Sequence, residues 1–330
     1  MNVLVTGGAG YIGSHACQAL RNSGFNPVVY DNLSRGNRWA VKWGPLEEGD
    51  ILDRRKLDYV FKKYKPTAVF HFAALAYVGE SIKNPDLYYE NNVLGSYELL
   101  QAMKQNGVKK FIFSSTCATY GIPQTLPITE SHLQNPINPY GHTKLLVEQM
   151  LRFFDTAYEL KSIVLRYFNA AGADPAGEIG EHHSPETHVI PLLLDSAFDP
   201  KVPFVINGVN HDTEDGTCVR DYIHVTDLAH AHVLALRKLL REPISESYNL
   251  GNGLGFSVKQ LIQEAESISG RSINAVVGDR RAGDPAILVG SAAKAIEELQ
   301  WKPRYADIAT ILQTAYRWHH AKKFGISEGK

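Results

Sequence analysis

The sequence predicts an α/β protein built on a doubly wound parallel sheet, with a smaller mixed α/β domain after it. Three observations predict this. Through the first half of the chain, short apolar runs alternate with amphipathic stretches, the sequence form of parallel strands covered by helices on both faces. The first run, near the amino terminus, leads directly into a glycine-rich loop that opens a helix. After Phe168 the alternation gives way to an irregular stretch containing Gly, Pro, Asp and His through Glu186, too irregular for a continuing sheet-and-helix repeat. At 330 residues the chain has room for one large or two unequal domains.

Strands are expected at Val3 to Thr6, Val28 to Tyr30, Ala68 to Phe72, Phe111 to Ser114 and Ile163 to Tyr167. The continuous apolar run Phe111-Ile112-Phe113 is what a strand buried on both faces requires. Helices are expected at Ile12 to Asn22, Arg54 to Tyr64, Tyr88 to Gln105 and Pro139 to Leu160. The boundary falls near Asn169, which divides the chain into residues 1–169 and 170–330. Beyond it, a helix is expected from Val225 to Leu240, a strand at Tyr248 to Leu250, and helices near Val258 to Ser269 and Ile308 to Ala321. The 220–250 stretch is a candidate to return to the first sheet.

The charge balance of 34 basic against 35 acidic residues gives no field to draw the chain onto nucleic acid or an anionic membrane, so any anionic ligand needs a local site. No apolar stretch approaches spanning length, and the amino terminus runs into a strand without a charged leader. The three cysteines, Cys17, Cys117 and Cys218, are odd in number and lack metal-type spacing. A soluble chain in a reducing cytoplasm is the expectation.

Thr6-Gly7-Gly8-Ala9-Gly10-Tyr11-Ile12-Gly13 places Gly-x-x-Gly-x-x-Gly between strand and helix, which makes the fold Rossmann-type. Gly7 and Gly10 allow backbone N–H groups to approach a pyrophosphate at the helix N-terminus, and Gly13 lets helix pack close on strand. Asp31 ends the next apolar run, where a carboxylate accepts the adenine ribose hydroxyls and repels a 2′-phosphate. That favours NAD over NADP, with Arg35 the nearby cation that would serve a phosphate. Gly49-Asp50-Ile51, at the expected end of a third strand, suits the adenine edge, while Asp50 or Asp53 could equally cap a helix.

Tyr140 and Lys144 lie four apart after Asn138-Pro139, where proline can begin a helix, so phenol and ammonium share a face. Tyrosine ionises near pH 10, and it becomes a base at neutral pH only where positive charge stabilises the phenolate. The strand Phe111 to Thr116 ends in hydroxyls at the carboxyl edge where such sheets bind ligands. Ser114 and Thr116 are therefore candidates for the site.

With these motifs in place, the chain resembles the extended short-chain dehydrogenase/reductases, and among them the UDP-galactose 4-epimerases. The resemblance runs over nearly the whole chain: Val5 to His15, Asp31-Asn32-Leu33, Gly49-Asp50-Ile51, His-Phe-Ala-Ala at 71–74, Val-Gly-Glu-Ser at 78–81, Tyr-Tyr-Glu-Asn-Asn at 88–92, Ser114 to Gly121, Arg-Tyr-Phe-Asn at 166–169 and Thr213 to His224. It implies that Tyr140 is the base, that Lys144 lowers its pKa and holds the nicotinamide ribose, and that Thr116 is the hydroxyl of the triad. It implies NAD contacts from Gly7, Gly10, Tyr11, Ile12, Gly13, Asp31, Asn32, Asp50, Ile51, Phe72, Ala73, Asn91, Ser114 and Tyr167. For the UDP-sugar it implies Asn169, His188, Asn207, Arg220, Tyr222, Arg281 and Asp284. Arg220 and Arg281 suit the diphosphate, and Asp284 suits a ribose hydroxyl.

The implied chemistry removes the proton of the sugar 4-hydroxyl while hydride passes from carbon 4 to tightly held NAD; the 4-ketose turns in the site and hydride returns to its other face. UDP-galactose and UDP-glucose interconvert without net redox change. A homodimer through the 88–105 and 139–160 helices is likewise implied. One departure is Ala76, where many of these enzymes carry a lysine. A nucleotide-sugar 4,6-dehydratase would need an acidic pair after the threonine, and Cys117-Ala118 stands there. A catalytically silent NAD-binding protein would lack one of Thr116, Tyr140 and Lys144, and all three are present. Leu288 falls where large aromatic residues exclude an N-acetyl group, which leaves the substrate range open. Glu178, Glu181, His182, His183, Glu186 and His188 lack strict metal-ligand spacing, so no metal is expected and all but His188 are read as a solvated loop.

Overall fold

The computed structural model describes residues 1–281 and 285–324. Its strands in chain order are β1 (Asn2–Thr6), β2 (Asn26–Asp31), β3 (Leu46–Glu48), β4 (Ala68–His71), β5 (Lys110–Thr116), β6 (Lys161–Tyr167), β7 (Asn169–Ala171), β8 (Phe204–Asn207), β9 (Val219–His224), β10 (Glu246–Leu250), β11 (Gly255–Ser257), β12 (Ala275–Gly278) and β13 (Ile287–Leu288). Seven of them form one parallel sheet in the order β10-β6-β5-β4-β1-β2-β3. The chain runs outward from β1 to β3 and then crosses to β4 on the other side of β1. Between β1 and β4, therefore, lies the switch point at which such sheets bind ligands.

Successive strand residues face opposite sides of the sheet, and two cores result. Val3, Val5, Val29 and Phe70 pack with Ala16 and Leu20 of helix Tyr11–Asn22 and with Leu228 and Leu236 of helix Val225–Arg241. Leu4, Val28 and Val69 pack on the other side with Leu57 and Phe61 of helix Arg54–Tyr64, Leu99 and Met103 of helix Gly95–Gln105, and Val147 and Leu151 of helix Pro139–Tyr158. Because β10 pairs with β6 at the sheet edge, the stretch between 225 and 250 adds a helix and a strand to this body.

Residues 172–219 and 252–324 supply most of the smaller lobe. There β11, β9 and β13 form a sheet with β7 also on β9, while β8 pairs with β12. Helices Val189–Phe198, Val258–Ser269 and Ile308–Phe324 surround its core. Alternation along the sequence does not reveal β7, β8, β9 or β11 to β13. They are two to six residues long, and β9 carries Arg220-Asp221 directly after its first residue.

Two local expectations change. β3 stops at Glu48, before Gly49-Asp50-Ile51, and Asp50 turns its carboxylate back to accept from Leu52 N at 2.9 Å. Asp53 caps the next helix instead, accepting from Lys56 N at 3.0 Å. The expected helix from Tyr88 to Gln105 has a widened π turn over Tyr89–Leu94 before it becomes α-helical at Gly95. At that turn the Asn92 side chain reaches out to Leu75 N and Leu75 O, at 2.8 and 2.9 Å, and to Thr143 Oγ1 at 3.1 Å.

Candidate active site

The glycine loop joins β1 to helix Tyr11–Asn22 at the switch point. Gly7 has φ of 72°, a left-handed conformation that favours glycine, and a Cβ there would lie 2.5 Å from Ala73 N. A Cβ on Gly13 would collide with the carbonyl oxygen of Gly7. Gly10 begins the helix without a side-chain cap, so the first-turn N–H groups are left for a ligand's oxygens. Phe72 and Ala73, just past β4, close on the loop through N–H donation to Thr6 O at 2.9 and 3.1 Å.

Asp31 is 7 % exposed at the end of β2. Its two oxygens accept from Ala9 N at 3.0 Å and Leu33 N at 2.8 Å, which fixes the carboxylate beside the loop with lone pairs to spare. Burial raises its pKa, and those two N–H groups oppose the rise. Asn32 donates to Asp50 at 2.7 Å, so these two candidates form one pair, while Ile51 is buried in the core. The cation that could serve a 2′-phosphate is drawn elsewhere: Arg35 pairs with Glu80 at 2.7 Å and lies over the Tyr77 ring. Asn91 donates to the Asn92 side chain at 2.9 Å. Asn92, which the sequence reading passed over, is the one that ties this turn to residue 75 and to the helix bearing Tyr140.

Helix Pro139–Tyr158 begins with Pro139 in its first turn and Asn138 as its cap, accepting from Gly141 N at 2.8 Å. Tyr140, Lys144 and Glu148 follow at intervals of four, and all three are buried against β5 and β6. Lys144 Nζ donates to Ser114 O at 2.9 Å, and the Ser114 and Tyr167 hydroxyls are 2.6 Å apart. Thr116, at the end of β5, accepts from Ala118 N at 3.1 Å. Ser115 points the opposite way and donates to Glu148 at 2.6 Å.

Electrostatically, the chain by itself does not make Tyr140 a base. Burial pushes its phenol well above 10, the neighbouring Tyr167 adds to that, and the Thr116 hydroxyl works in the opposite direction. Burial also lowers the Lys144 ammonium from 10.5 to about 7, with Glu148 opposing. Between those values the unfolded chain holds a proton on this lysine that the folded chain has released, so this group's contribution to stability rises with pH from about 7 toward 10.5. Lys144→Met is expected to flatten that rise and to increase stability below pH 7, measured by urea unfolding at several pH values; an unchanged pH slope would refute it.

On the substrate side, β7 lies against β9, with Asn169 opposite Tyr222 and Asn169 Nδ2 donating to Asp221 O at 3.0 Å. Arg220 is half-buried and interacts electrostatically with Cys117, directly after Thr116. Its guanidinium donates to Val219 O at 2.7 Å and Pro285 O at 2.8 Å, which holds the segment leading into β13. Leu288 in β13 packs on the cluster of Tyr120, Ile128 and Phe168, against which Cys117, next to Thr116, also packs. Tyr222 is buried in the core of the smaller lobe, a packing position. Asn207 ends β8, Arg281 is exposed, and Asp284 lies outside the described residues.

The stretch from Glu178 to His188 is solvated only in part: Glu178, Ser184, Pro185, Thr187 and His188 are exposed, Glu181 is buried, and His182, His183 and Glu186 are half-buried. Lys42 Nζ donates to Glu178 O at 2.8 Å and Asn37 Nδ2 to His182 O at 3.2 Å, while Tyr77 OH reaches Pro185 O at 3.2 Å. Trp318 Nε1 donates to Glu181 O at 2.9 Å, and the Glu181 side chain is 3 % exposed. Residues distant in sequence cover Glu181 and partly cover His182, His183 and Glu186, where a solvated loop was expected, while Glu178 is exposed as expected. His188 Nδ1 bonds to Glu181, which leaves Nε2 as the ring nitrogen for another partner.

Residues 3–251 match the model of the NAD dependent epimerase/dehydratase family. The chain belongs to that family. A UDP-glucose 4-epimerase of Rhizobium leguminosarum bv. trifolii is 54 % identical over 96 % of this chain and 97 % of its own. The crystal structure of UDP-glucose 4-epimerase from Brucella ovis in complex with NAD is 50 % identical, covers 99 % of both chains and superposes with a TM-score of 0.94. That of UDP-glucose-4-epimerase from Stenotrophomonas maltophila, with bound NAD and formylated UDP-arabinopyranose, has a TM-score of 0.95 at 39 % identity over 99 % of this chain and all of that one. Among the described residues no helix is long and apolar enough to cross a membrane.

Proposed function

We propose that this NAD dependent epimerase/dehydratase is a UDP-glucose 4-epimerase, interconverting UDP-galactose and UDP-glucose through a 4-keto intermediate. The observation that carries this reading is the meeting of Thr116, Tyr140 and Lys144 at the end of β5, with Cys117-Ala118 rather than acids beside them. A 4-keto sugar formed there would have no neighbouring carboxyl pair to drive loss of water. Bound NAD supplies the hydride acceptor and donor, and its positive charge when oxidised.

The chain's own residues do the rest. Tyr140 takes and returns the proton of the sugar 4-hydroxyl, and Thr116 hydrogen-bonds that oxygen. Lys144, anchored on Ser114 O, orients the nicotinamide ribose. The glycine loop and Asp31 hold the pyrophosphate and adenine ribose. The 170–330 region provides the UDP-sugar side, with Arg220 and Arg281 toward the diphosphate, Asn169, Asn207 and His188 around it, Tyr222 supporting β9 from beneath, and Asp284 toward a ribose hydroxyl.

Purified protein is expected to interconvert UDP-galactose and UDP-glucose without added NAD. A panel adding UDP-N-acetylglucosamine and UDP-xylose tests how far Leu288 restricts the sugar. No interconversion of any of them overturns the reading. The protein is further proposed to work in the cytoplasm as a homodimer. Leu94, Tyr97 and Phe153 are 46, 41 and 75 % exposed on the segments expected to pair, apolar groups that a partner's helices would cover. Light scattering should give twice the chain mass; a monomer at micromolar concentration would refute the dimer.

A further inference from the structure

Within residues 181–188 the pattern Glu-x-His occurs twice, as Glu181-x-His183 and Glu186-x-His188. The fold brings one donor atom from each of these four side chains to within 4.8 Å of the others. His183 Nδ1 lies 3.3 Å from Glu181 Oε1 and 3.6 Å from Glu186 Oε1, and His188 Nδ1 lies against the same Glu181 oxygen. Bonds of about 2.0–2.1 Å to a tetrahedral zinc ion place neighbouring nitrogen and oxygen donors about 3.3 Å apart. The two His183 separations are close to the edges of such a tetrahedron, while His188 and Glu181 now hydrogen-bond directly and would part to admit the ion.

The direction of His183 adds a second, independent observation. Its Nδ1 is buried and near two carboxylates, yet aligns a hydrogen bond with neither. A nitrogen aimed between two carboxylates stands where a ligand to a shared cation would stand. The segment's own backbone orients Glu186, whose Oε1 accepts from Thr187 N at 2.8 Å and His188 N at 2.9 Å and leaves Oε2 for an ion, and the Glu181 backbone is pinned by Trp318. Two carboxylates and two neutral imidazoles around a divalent ion make a neutral group, which lowers the cost of burying Glu181.

We propose that Glu181, His183, Glu186 and His188 form a divalent transition-metal site suited to zinc, which closes the 181–188 loop on itself beside the glycine loop. Imidazole and carboxylate donors in a four-coordinate set are chemistry zinc accepts readily. The His183 ring lies edge-on to Tyr11, at 6.2 Å, and to Tyr77, at 6.0 Å, so the ion would fix the segment against the glycine loop and the 77 loop together. The absence of strict spacing in sequence is no obstacle, because a folded-back loop sets the geometry. The site shares His188 with the proposed substrate side: Nδ1 faces Glu181 and the ion, and Nε2 is left for the sugar nucleotide.

The test uses the purified holoenzyme, treated with chelator, dialysed and titrated with zinc ion alone. One zinc per chain is expected, with a rise in thermal midpoint that grows with zinc concentration. X-ray absorption at the zinc edge should show two imidazole nitrogens and two oxygens. His183→Asn and Glu186→Gln are each expected to weaken binding by about 100-fold or more, with far-UV circular dichroism confirming the fold. Should either variant fail to fold, the absorption spectrum of the wild-type protein decides by itself. No stoichiometric uptake by the wild type, equal uptake by both folded variants, or a spectrum without imidazole overturns the proposal.

Discussion

Tyr140→Phe is expected to lower kcat by about 10²–10⁴-fold while the protein still binds NAD. The phenol ring packs at the start of helix Pro139–Tyr158 with only 8 % of the residue exposed, and phenylalanine fills that space without the hydroxyl. The chain offers no substitute base at that point: Thr116 cannot ionise near neutral pH, and burial holds the Cys117 thiol up at about 12. The groups proposed to hold NAD, the glycine loop, Asp31 and Lys144, make their own bonds elsewhere, Asp31 to Ala9 N and Lys144 to Ser114 O, and should keep the cofactor when the Tyr140 hydroxyl is removed. Initial rates and nicotinamide released on denaturation are the two measurements. Near-normal turnover removes Tyr140 as base. Because burial raises this phenol, the rate of the wild-type enzyme should also fall at low pH, where the phenolate is lost even with oxidised cofactor beside it.

The largest effect on stability is expected from the ion pair beneath the site. Arg166 in β6 and Glu148 in the helix of Tyr140 are 3 % and 2 % exposed at their side chains. Arg166 Nε and Nη2 donate to the two Glu148 oxygens at 3.0 and 2.6 Å, and Ser115 and Gln134 complete the carboxylate's shell at 2.6 and 2.9 Å. Beyond the pair, Arg166 Nη1 donates to Tyr120 OH at 2.9 Å, and that hydroxyl donates to Asn249 of β10 at 2.7 Å. The network thus joins β5, β6, β10 and the helix of Tyr140.

Arg166→Met removes one charge and leaves Glu148 buried without its counterion, which is expected to cost about 3–5 kcal/mol. The double substitution Arg166→Met with Glu148→Leu should cost less than the sum of the two single changes, because neither charge is then left alone. Equilibrium urea unfolding of the four proteins measures this. A loss below about 1 kcal/mol for Arg166→Met would show that the pair does not hold these elements together.

Contiguous residues carried most of what was legible. The strands β1, β2, β4, β5 and β6 and the helices between them come from apolar runs and periodicity that local geometry must satisfy. The Gly7 and Gly13 positions follow from turns only glycine makes, and Tyr140 with Lys144 from one helical interval of four. Asp31 was readable because strand β2 ends there and the sheet always presents that end to the same side.

What depended on distant approach was not legible. Asn92, Ser115, Glu148 and Arg166 matter through partners on other elements, and a polar residue in a helix or strand does not announce which partner it meets. Arg35 is diverted by Glu80 and Tyr77, more than forty residues away, so its nearness in sequence to Asp31 misstates its surroundings. Taken alone, then, the sequence determined the dinucleotide fold, the NAD preference and the family, since each rests on short motifs in a fixed local context. Only the tertiary structure decided that Glu181 and His183 are covered rather than solvated, that Asn92 and not Asn91 braces the turn, and that β10 completes the large sheet. In each case the deciding energy is burial or a hydrogen bond between segments that the chain joins only after folding.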